Sequence, residues 1–198
     1  MTGSLRNTIA VGIAGLLAAV PMFILMGDIL FHTRLSESLF KGLAPWVNRL
    51  PGGLLHVNVI GCTLFAAVSG SSAATTATVG RMTLAELLKR GYNRDLAMGS
   101  LAGAGTIGLL IPPSIPMVVY GVLAEASILD LFIAGIVPGL VVALFFMGWI
   151  VYRGLRDPSI QPAGREHISW GDRFRALADL LPVVFLIAVV IGSMYTGL

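Results

Sequence analysis

Charged residues are scarce in this sequence, and their scarcity excludes most classes of soluble protein. Asp, Glu, Lys and Arg make up 12% of the 198 residues, whereas a soluble domain usually carries about 25%. A helix that crosses a bilayer needs about 20 apolar residues. The sequence therefore predicts an all-α polytopic membrane protein and excludes a soluble enzyme, a disordered chain and a disulfide scaffold. Five runs of this length or nearly so contain no charged residue: Ile9–Gly27, Leu50–Gly80, Ala97–Ala124, Leu131–Tyr152 and Leu180–Leu198.

Several chemical motifs are also missing. The single cysteine, Cys62, can form no internal disulfide. The sequence has no Walker A motif and so supplies no ATP hydrolysis, and no cluster of His, Cys or carboxylate residues has the spacing of a metal site. Ser69, Ser71 and Ser72 have no identifiable His or Lys base that would make one of them a nucleophile. We therefore expect neither an enzyme nor a bound cofactor.

Basic residues are distributed unevenly between the apolar runs. The segments 32–49, 81–95 and 153–179 are rich in Lys and Arg, whereas the link 125–130 has none. Because positively charged loops stay in the cytoplasm, the first three segments are predicted to be cytoplasmic and the fourth external. This topology accounts for the excess of 13 Lys and Arg over 10 Asp and Glu, and we expect no nucleic-acid partner.

The predicted topology sends residues 51–88 into the membrane and back to the same side. The first leg is apolar, but the returning leg from Ala73 to Leu88 carries four Thr, an Arg and a Glu. Irregular or polar segments at membrane depth are tolerated where protein or a water-filled cavity surrounds them. A re-entrant helical hairpin is therefore favoured, and two ordinary spans, which satisfy the same charge distribution, are the alternative.

The predicted tip of the hairpin is dense in hydroxyl groups. Six of the ten residues from Ser69 to Thr78 are Ser or Thr, and none of the ten is charged. Hydroxyls are neutral oxygen ligands, and the first amides of a second leg that begins near Ser72 would favour an anionic group such as a carboxylate. The alternative is a Ser/Thr/Gly patch that packs membrane helices together.

Three prolines interrupt the apolar run within residues 95–125. Pro112, Pro113 and Pro116 have no N–H, so the carbonyls four residues earlier, including that of Gly108, lose their helical partner. We predict a transmembrane helix broken by an unwound stretch, in which secondary transporters hold Na⁺ at main-chain carbonyls. An ordinary proline kink that neighbouring helices satisfy is the alternative.

The remaining segments complete one transmembrane domain over 1–198, which we expect to be partial. Residues 33–50 have Leu and Trp at helical spacing, which predicts an amphipathic helix lying in the membrane interface. A packed cytoplasmic linker is the alternative for this segment. The rest of the chain is assigned to transmembrane helices over 9–31 and 128–152, a cytoplasmic loop over 153–179 and the start of a further transmembrane helix over 180–198.

The chain resembles the large membrane subunit of tripartite ATP-independent periplasmic (TRAP) transporters. The resemblance rests on three stretches that contain the motifs SGSSAAT and IPPS in that order: PGGLLHVNVIGCTLFAAVSGSSAATTATVG, KRGYNRDLAMGSLAGAGTIGLLIPPSIPMVVYG and EASILDLFIAGIVPG. It runs from about Leu17 to Arg156 and implies a multi-pass protein of the bacterial or archaeal inner membrane. It also implies an elevator-type fold of two inverted repeats, each with one re-entrant hairpin and one broken helix.

The resemblance further implies a Na⁺-driven importer of organic acids, such as C4-dicarboxylates or sialic acids. Its partners would be a small membrane subunit and a periplasmic solute-binding protein that delivers the substrate. A Na⁺ site would combine hydroxyls of the tip with main-chain carbonyls of the broken helix. The implied Na⁺ residues are Ser69, Ser71, Ser72, Gly108, Ile111 and Pro113, and those near the substrate carboxylate are Thr75, Thr76 and Ser114.

Members of this family usually have helices before the first one here and a second hairpin and broken helix after the last. We therefore expect the chain to be about half of the transporter. The alternative function is a truncated, non-transporting membrane subunit that acts only in assembly.

Overall fold

The regular secondary structure in the part of the chain that the structure describes is entirely helical, as predicted. The structure is a computed structural model that describes residues 21, 22, 25, 28, 29, 35–157, 160 and 170–196. Most of the predicted helix over 9–31 lies outside the described residues. The helices with described bounds are α1 (Leu35–Val47), α2 (Leu55–Ser69), α3 (Ser72–Lys89), α4 (Arg94–Gly105), a 3-10 helix (Thr106–Leu109), α5 (Ile115–Leu123), α6 (Ile128–Arg156) and α7 (Trp170–Thr196).

Helices α2 and α3 form a hairpin with a very short connection. Gly70 closes α2 with a φ of 62°, a left-handed conformation that glycine adopts without a Cβ clash. Ser71 caps α3 by accepting a hydrogen bond from the N–H of Ala74 over 3.3 Å. At about 1.5 Å per residue, α2 is about 22 Å long and α3 about 27 Å, whereas a bilayer core is about 30 Å thick. Each leg is therefore shorter than the bilayer core, which suits a re-entrant hairpin.

Helix α2 lies at the centre of the fold. It is apolar on all sides and contacts α1, α3, α4, α6 and α7, so side chains such as Val57 and Cys62 are fully buried. Three buried polar residues interrupt this apolar surface: His56, Asn58 and, at the hairpin tip, Ser69. His56 contacts the carbonyl O of Pro51 through Nε2 over 2.9 Å, and Asn58 faces α4. A helix without a polar face must be enclosed by its neighbours, and that requirement organises the hairpin and the helices around it.

The run over 95–125 forms a helix that stops and restarts, as its prolines predicted. α4 ends at Gly105, and α5 begins at Ile115 with Ser114 at its N-cap. The residues between α4 and α5 form a short 3-10 helix followed by a stretch without regular structure. Pro116 occupies the first turn of α5, where its missing N–H removes no helical hydrogen bond.

Helices α6 and α7 are long and apolar enough to cross a membrane. An apolar stretch of 18 residues within Ile128–Arg156 has a mean hydropathy of 2.5, and one within Arg173–Ser193 has a mean hydropathy of 2.4. Large apolar side chains on their outer faces, such as Phe145 on α6 and Phe185 on α7, are exposed. Such faces are expected of helices that contact lipid.

The predicted loop over 153–179 is too long. α6 continues to Arg156, and α7 begins at Trp170 rather than at residue 180. The sequence bounds were set where charged residues begin, and charge marks the edge of the hydrocarbon region. A helix does not end there, because its backbone hydrogen bonds continue into the aqueous phase while its charged side chains are solvated.

Helix α1 packs against α7. Gly42 makes this close approach possible, since a Cβ at that position would lie 2.5 Å from Cγ of Leu180 and 2.9 Å from the carbonyl O of Ala176. Leu39 and Leu43 of α1 are buried, so one face of the helix packs in the hydrophobic core. The segment predicted over 33–50 is thus a helix, and its position in the membrane interface stays a prediction.

Gly105 determines how closely α4 passes the hairpin. A Cβ at Gly105 would collide with Oγ1 of Thr76 and would lie 3.1 Å from its Cβ. A Cβ at Gly99, on the same helix, would meet no atom within 4 Å. The two glycines therefore differ in tertiary packing, although they share a helix.

Replacing Gly105 by Ala should lower the free energy of unfolding by about 1–3 kcal/mol, because the added methyl group overpacks the contact with Thr76. Gly99→Ala is the matched control. It should be neutral or stabilising by up to about 1 kcal/mol, since alanine has the higher helix propensity. Thermal unfolding of the full permease chain in detergent measures both variants. Equal destabilisation by the two substitutions would contradict the contact.

Candidate functional site

The tip of the hairpin lies against the break between α4 and α5. The N–H of Ile115, at the start of α5, donates to the carbonyl O of Gly70 over 3.1 Å. The hydroxyl of Ser72, at the start of α3, donates to the carbonyl O of Gly105 over 2.7 Å. These two hydrogen bonds bring four helix ends together: the carboxyl ends of α2 and α4 and the amino ends of α3 and α5.

This meeting of helix ends suits ions of both signs without a charged side chain. The carboxyl end of a helix carries a partial negative charge and the amino end a partial positive one, each equivalent to about half an elementary charge. None of the residues predicted to bind Na⁺ or substrate carries a formal charge. Carbonyl and hydroxyl oxygens can therefore bind a cation, while amide N–H groups can bind an anion.

Gly108 permits the closest approach between the break and the tip. A Cβ at this buried position would lie 3.1 Å from Cα of Ser72 and 3.3 Å from its backbone N. Main-chain atoms cannot rotate away as a flexible side chain can, so any larger residue would move the break away from the tip. Gly108 and Ser72, which the sequence analysis assigned to one Na⁺ site, are in fact neighbours.

Two carbonyls at the break are released from helical pairing. In a continuous helix the N–H of residue 112 would donate to the Gly108 carbonyl, but residue 112 is a proline and has no N–H. The neighbouring N–H of Ile111 donates to the carbonyl O of Ile107 instead, over 3.0 Å. The N–H of Ile115, which a continuous helix would direct to Ile111, donates to Gly70 instead. Gly108 and Ile111 are both predicted Na⁺ residues, and the fold gives each a carbonyl without its usual partner.

A side chain replaces the missing donor at Leu109. Pro113 cannot donate to this carbonyl, and the hydroxyl of Ser114 does so over 2.9 Å. Ser114 is fully buried, so its hydroxyl has a structural role at the break. Its predicted contact with substrate would require the break to open. Pro113 is also fully buried.

Ser69 and Thr75 hold the two legs of the hairpin together at the tip. Their hydroxyl oxygens lie 2.7 Å apart, and both residues are fully buried. The Ser69 hydroxyl also lies 3.3 Å from the carbonyl O of Ser71. Ser69, a predicted Na⁺ residue, is thus hydrogen-bonded to Thr75, a predicted substrate residue. Substrate would reach Thr75 only if the tip separated from its surroundings.

Ser71, Ser72 and Thr76 are partly exposed at the tip. The Thr76 hydroxyl donates to the carbonyl O of Ser72 over 2.8 Å, and the Ser72 hydroxyl donates to α4 as described above. A hydroxyl that donates one hydrogen bond keeps lone pairs on its oxygen. All three oxygens can therefore still accept a hydrogen bond or bind a cation while the hairpin keeps its shape.

Asn58 is a polar contact that the sequence analysis did not single out. Its side-chain amide donates to the carbonyl O of Ala97 over 3.2 Å and to the hydroxyl of Ser100 over 2.8 Å, and it thereby ties α2 to α4. Its Oδ1 is buried without a partner among the described residues. The sequence feature that could have indicated this contact is the amide side chain itself, which lies within the otherwise apolar first leg of the hairpin.

Comparisons with known proteins identify relatives of this sequence. The family profile described as "Tripartite ATP-independent periplasmic transporter, DctM component" matches residues 10–198. The ectoine TRAP transporter large permease protein TeaC of Halomonas elongata is 37% identical over 183 residues, which is 92% of this chain. The C4-dicarboxylate TRAP transporter large permease protein DctM of Pseudomonas aeruginosa is 37% identical over 91% of the chain. The sialic acid TRAP transporter large permease protein SiaM of Vibrio cholerae is 31% identical over 91%.

These relatives are longer than the chain, which spans 42% of the length of each. The similarity covers the hairpin, the break and the two apolar helices α6 and α7, all within the matched residues 10–198. The chain therefore belongs to the DctM family, the large permease components of tripartite ATP-independent periplasmic transporters.

Proposed function

We propose that this chain is part of the large permease subunit of a Na⁺-driven importer of organic acids in the bacterial inner membrane. It would act with a small membrane subunit and a periplasmic solute-binding protein that delivers the substrate. The observation that carries the proposal is the contact between the hydroxyl-rich tip and the broken helix, where Ser72 bonds to Gly105 and Ile115 bonds to Gly70.

The proposed Na⁺ ligands lie where this contact supplies neutral oxygens. The carbonyls of Gly108 and Ile111 have lost their helical donors, and the hydroxyl oxygens of Ser71 and Ser72 keep lone pairs. Unwound carbonyls combined with helix ends are a recurrent means by which secondary transporters bind Na⁺. Ser69 and Pro113 complete the proposed set from buried positions beside the tip and within the unwound stretch.

The proposed substrate is an organic acid because two helices begin at the contact. The amino ends of α3 and α5 present partial positive charge, and a carboxylate would be attracted there without a charged partner. The relatives are named for ectoine, C4-dicarboxylate and sialic acid, each of which carries a carboxylate group. Thr75, Thr76 and Ser114 would lie nearest to that group.

The alternative, a subunit that acts only in assembly, makes a different demand on the same residues. Helix packing requires small side chains at the tip, and alanine satisfies that requirement as well as serine does. Ion binding requires the hydroxyl oxygen itself. Substitution of a tip serine by alanine therefore separates the two functions.

Replacing Ser71 by Ala in the complete transporter should weaken Na⁺ dependence of uptake, raising the half-saturating Na⁺ concentration about tenfold, because a ligand oxygen is lost. Uptake of substrate into proteoliposomes, measured over a series of Na⁺ concentrations, gives this value. The variant should assemble normally with the small membrane subunit.

Ser127→Ala is the matched control for this substitution. Ser127 caps α6 by accepting from the N–H of Asp130 over 3.3 Å, just as Ser71 caps α3 over 3.3 Å. Both variants lose an N-cap, which costs about 1 kcal/mol of stability, but only Ser71 is a proposed Na⁺ ligand. An equal loss of uptake in the two variants would show that capping explains the effect, and an unchanged Na⁺ dependence in Ser71→Ala would favour the assembly function, for which alanine suffices.

The coupling ion has a direct test in the same proteoliposomes. An inward Na⁺ gradient should drive accumulation of substrate, and its removal should abolish accumulation, whereas collapse of the proton gradient should have little effect. The measurement compares uptake with Na⁺ or K⁺ outside, each with and without a protonophore. Accumulation that ignores Na⁺ and disappears with the protonophore would refute Na⁺ coupling.

A further inference from the structure

A groove lies between α1 and the carboxyl-terminal half of α3. Its volume is about 560 Å³. Its two walls come from single faces of the two helices, since the lining residues follow helical spacing on each. We call it the α1–α3 groove, and its lining comprises Phe40, Lys41, Ala44, Pro45, Asn48, Leu54, Arg81, Met82, Ala85, Glu86, Lys89 and Arg90.

The rim of the α1–α3 groove is strongly basic. Lys41 comes from α1, while Arg81, Lys89 and Arg90 come from α3 and the residue that follows it. Among the lining residues that the structure describes, Glu86 is the one acidic residue, and it pairs with Arg90 over 2.7 Å. The described lining residues carry four positive charges and one negative charge, a net charge of +3, and this excess of basic side chains favours an anionic ligand.

The floor of the groove is apolar. Phe40 and Leu54 are buried, and Met82 and Ala44 are partly buried beside them. A small soluble anion would use the basic rim but would leave this floor in contact with water. A ligand with an anionic head and an apolar tail would use both parts of the groove, and phospholipids are the membrane molecules of this type.

The position of the groove also favours a lipid. α1 is the amphipathic helix predicted to lie in the interface, and the basic segments 32–49 and 81–95 are predicted to face the cytoplasm. Clusters of Lys and Arg on amphipathic helices or beside membrane segments attract anionic lipids of that leaflet. Lys89 lies at the opposite end of α3 from Ser72, so the groove is separate from the candidate ion and substrate site.

We propose that the α1–α3 groove binds one anionic phospholipid, with its phosphate held by the basic rim and the upper part of an acyl chain on the apolar floor. The lipid would fasten α1 to the hairpin at the cytoplasmic surface. This inference does not depend on the identity of the transported substrate or on Na⁺ coupling.

Native mass spectrometry of the full permease chain in detergent tests the proposal by titration with phosphatidylglycerol, phosphatidylcholine and inorganic phosphate in turn. We expect one phosphatidylglycerol to bind with clear preference over phosphatidylcholine, and no comparable binding of inorganic phosphate. The double variant Arg81→Gln with Lys89→Gln should bind phosphatidylglycerol about thirtyfold more weakly, because both side chains line the groove that would hold the phosphate; this fold-change corresponds to about 1 kcal/mol for each of the two.

Two further variants keep the test independent of folding and of total charge. Arg156→Gln with Arg175→Gln removes the same charge from exposed positions outside the groove and should change phosphatidylglycerol affinity less than twofold. Ala85→Trp fills the groove without changing charge and should abolish the preferred site while the chain stays monodisperse and helical.

Three results would overturn the proposal. Equal weakening by the two charge variants would mean that attraction is nonspecific. Binding of inorganic phosphate as strong as that of phosphatidylglycerol would assign the groove to a soluble anion. Unchanged lipid binding in Ala85→Trp would place the lipid elsewhere and leave the groove to another segment or subunit.

Discussion

The absence of backbone donors at the prolines is the constraint on which the rest of this structure depends. Membrane interiors give no water to an unpaired carbonyl, so each one must find a partner within the protein. Ser114 meets this requirement at Leu109, and the interrupted helix also exchanges hydrogen bonds with the hairpin tip. Ser114 donates to Leu109, Ile115 turns to Gly70, and Gly105 accepts from Ser72. The broken helix therefore cannot be placed without the hairpin tip, because each completes the other's hydrogen bonds.

Glycines allow the broken helix and the hairpin tip to approach each other closely enough to form the candidate site. Gly70 turns the chain, Gly105 admits Thr76, and Gly108 lies against the backbone of Ser72. With side chains absent at these positions, backbone oxygens and hydroxyls from two segments come within a short distance of each other. The same absence of bulk makes the contact sensitive to single methyl groups, so the glycines fix the geometry of the site even though they offer no side chain to a ligand.

The two ends of α3 have different chemistry. Its amino end carries uncharged hydroxyls and lies against the broken helix, while its carboxyl end carries Lys89 beside Arg90 and faces α1. An ion or a carboxylate suits the first environment, and the headgroup of an anionic lipid suits the second. The hairpin thus joins the proposed site for transported species at its tip to the proposed lipid surface at its base.

The sequence by itself determined the class of protein, the hairpin and the break, because scarcity of charge, hydroxyl density and proline chemistry act locally. It also selected Gly108, whose carbonyl partner is removed by a residue only four positions away. The sequence did not determine where α6 ends and α7 begins, since charge marks the membrane edge rather than the end of a helix. Only the tertiary structure decided that Ile115 bonds to Gly70, that Ser114 caps Leu109, and that Asn58 ties α2 to α4. Those partners come from the packing of segments against one another, and no local pattern specifies which of several available donors will reach a given carbonyl.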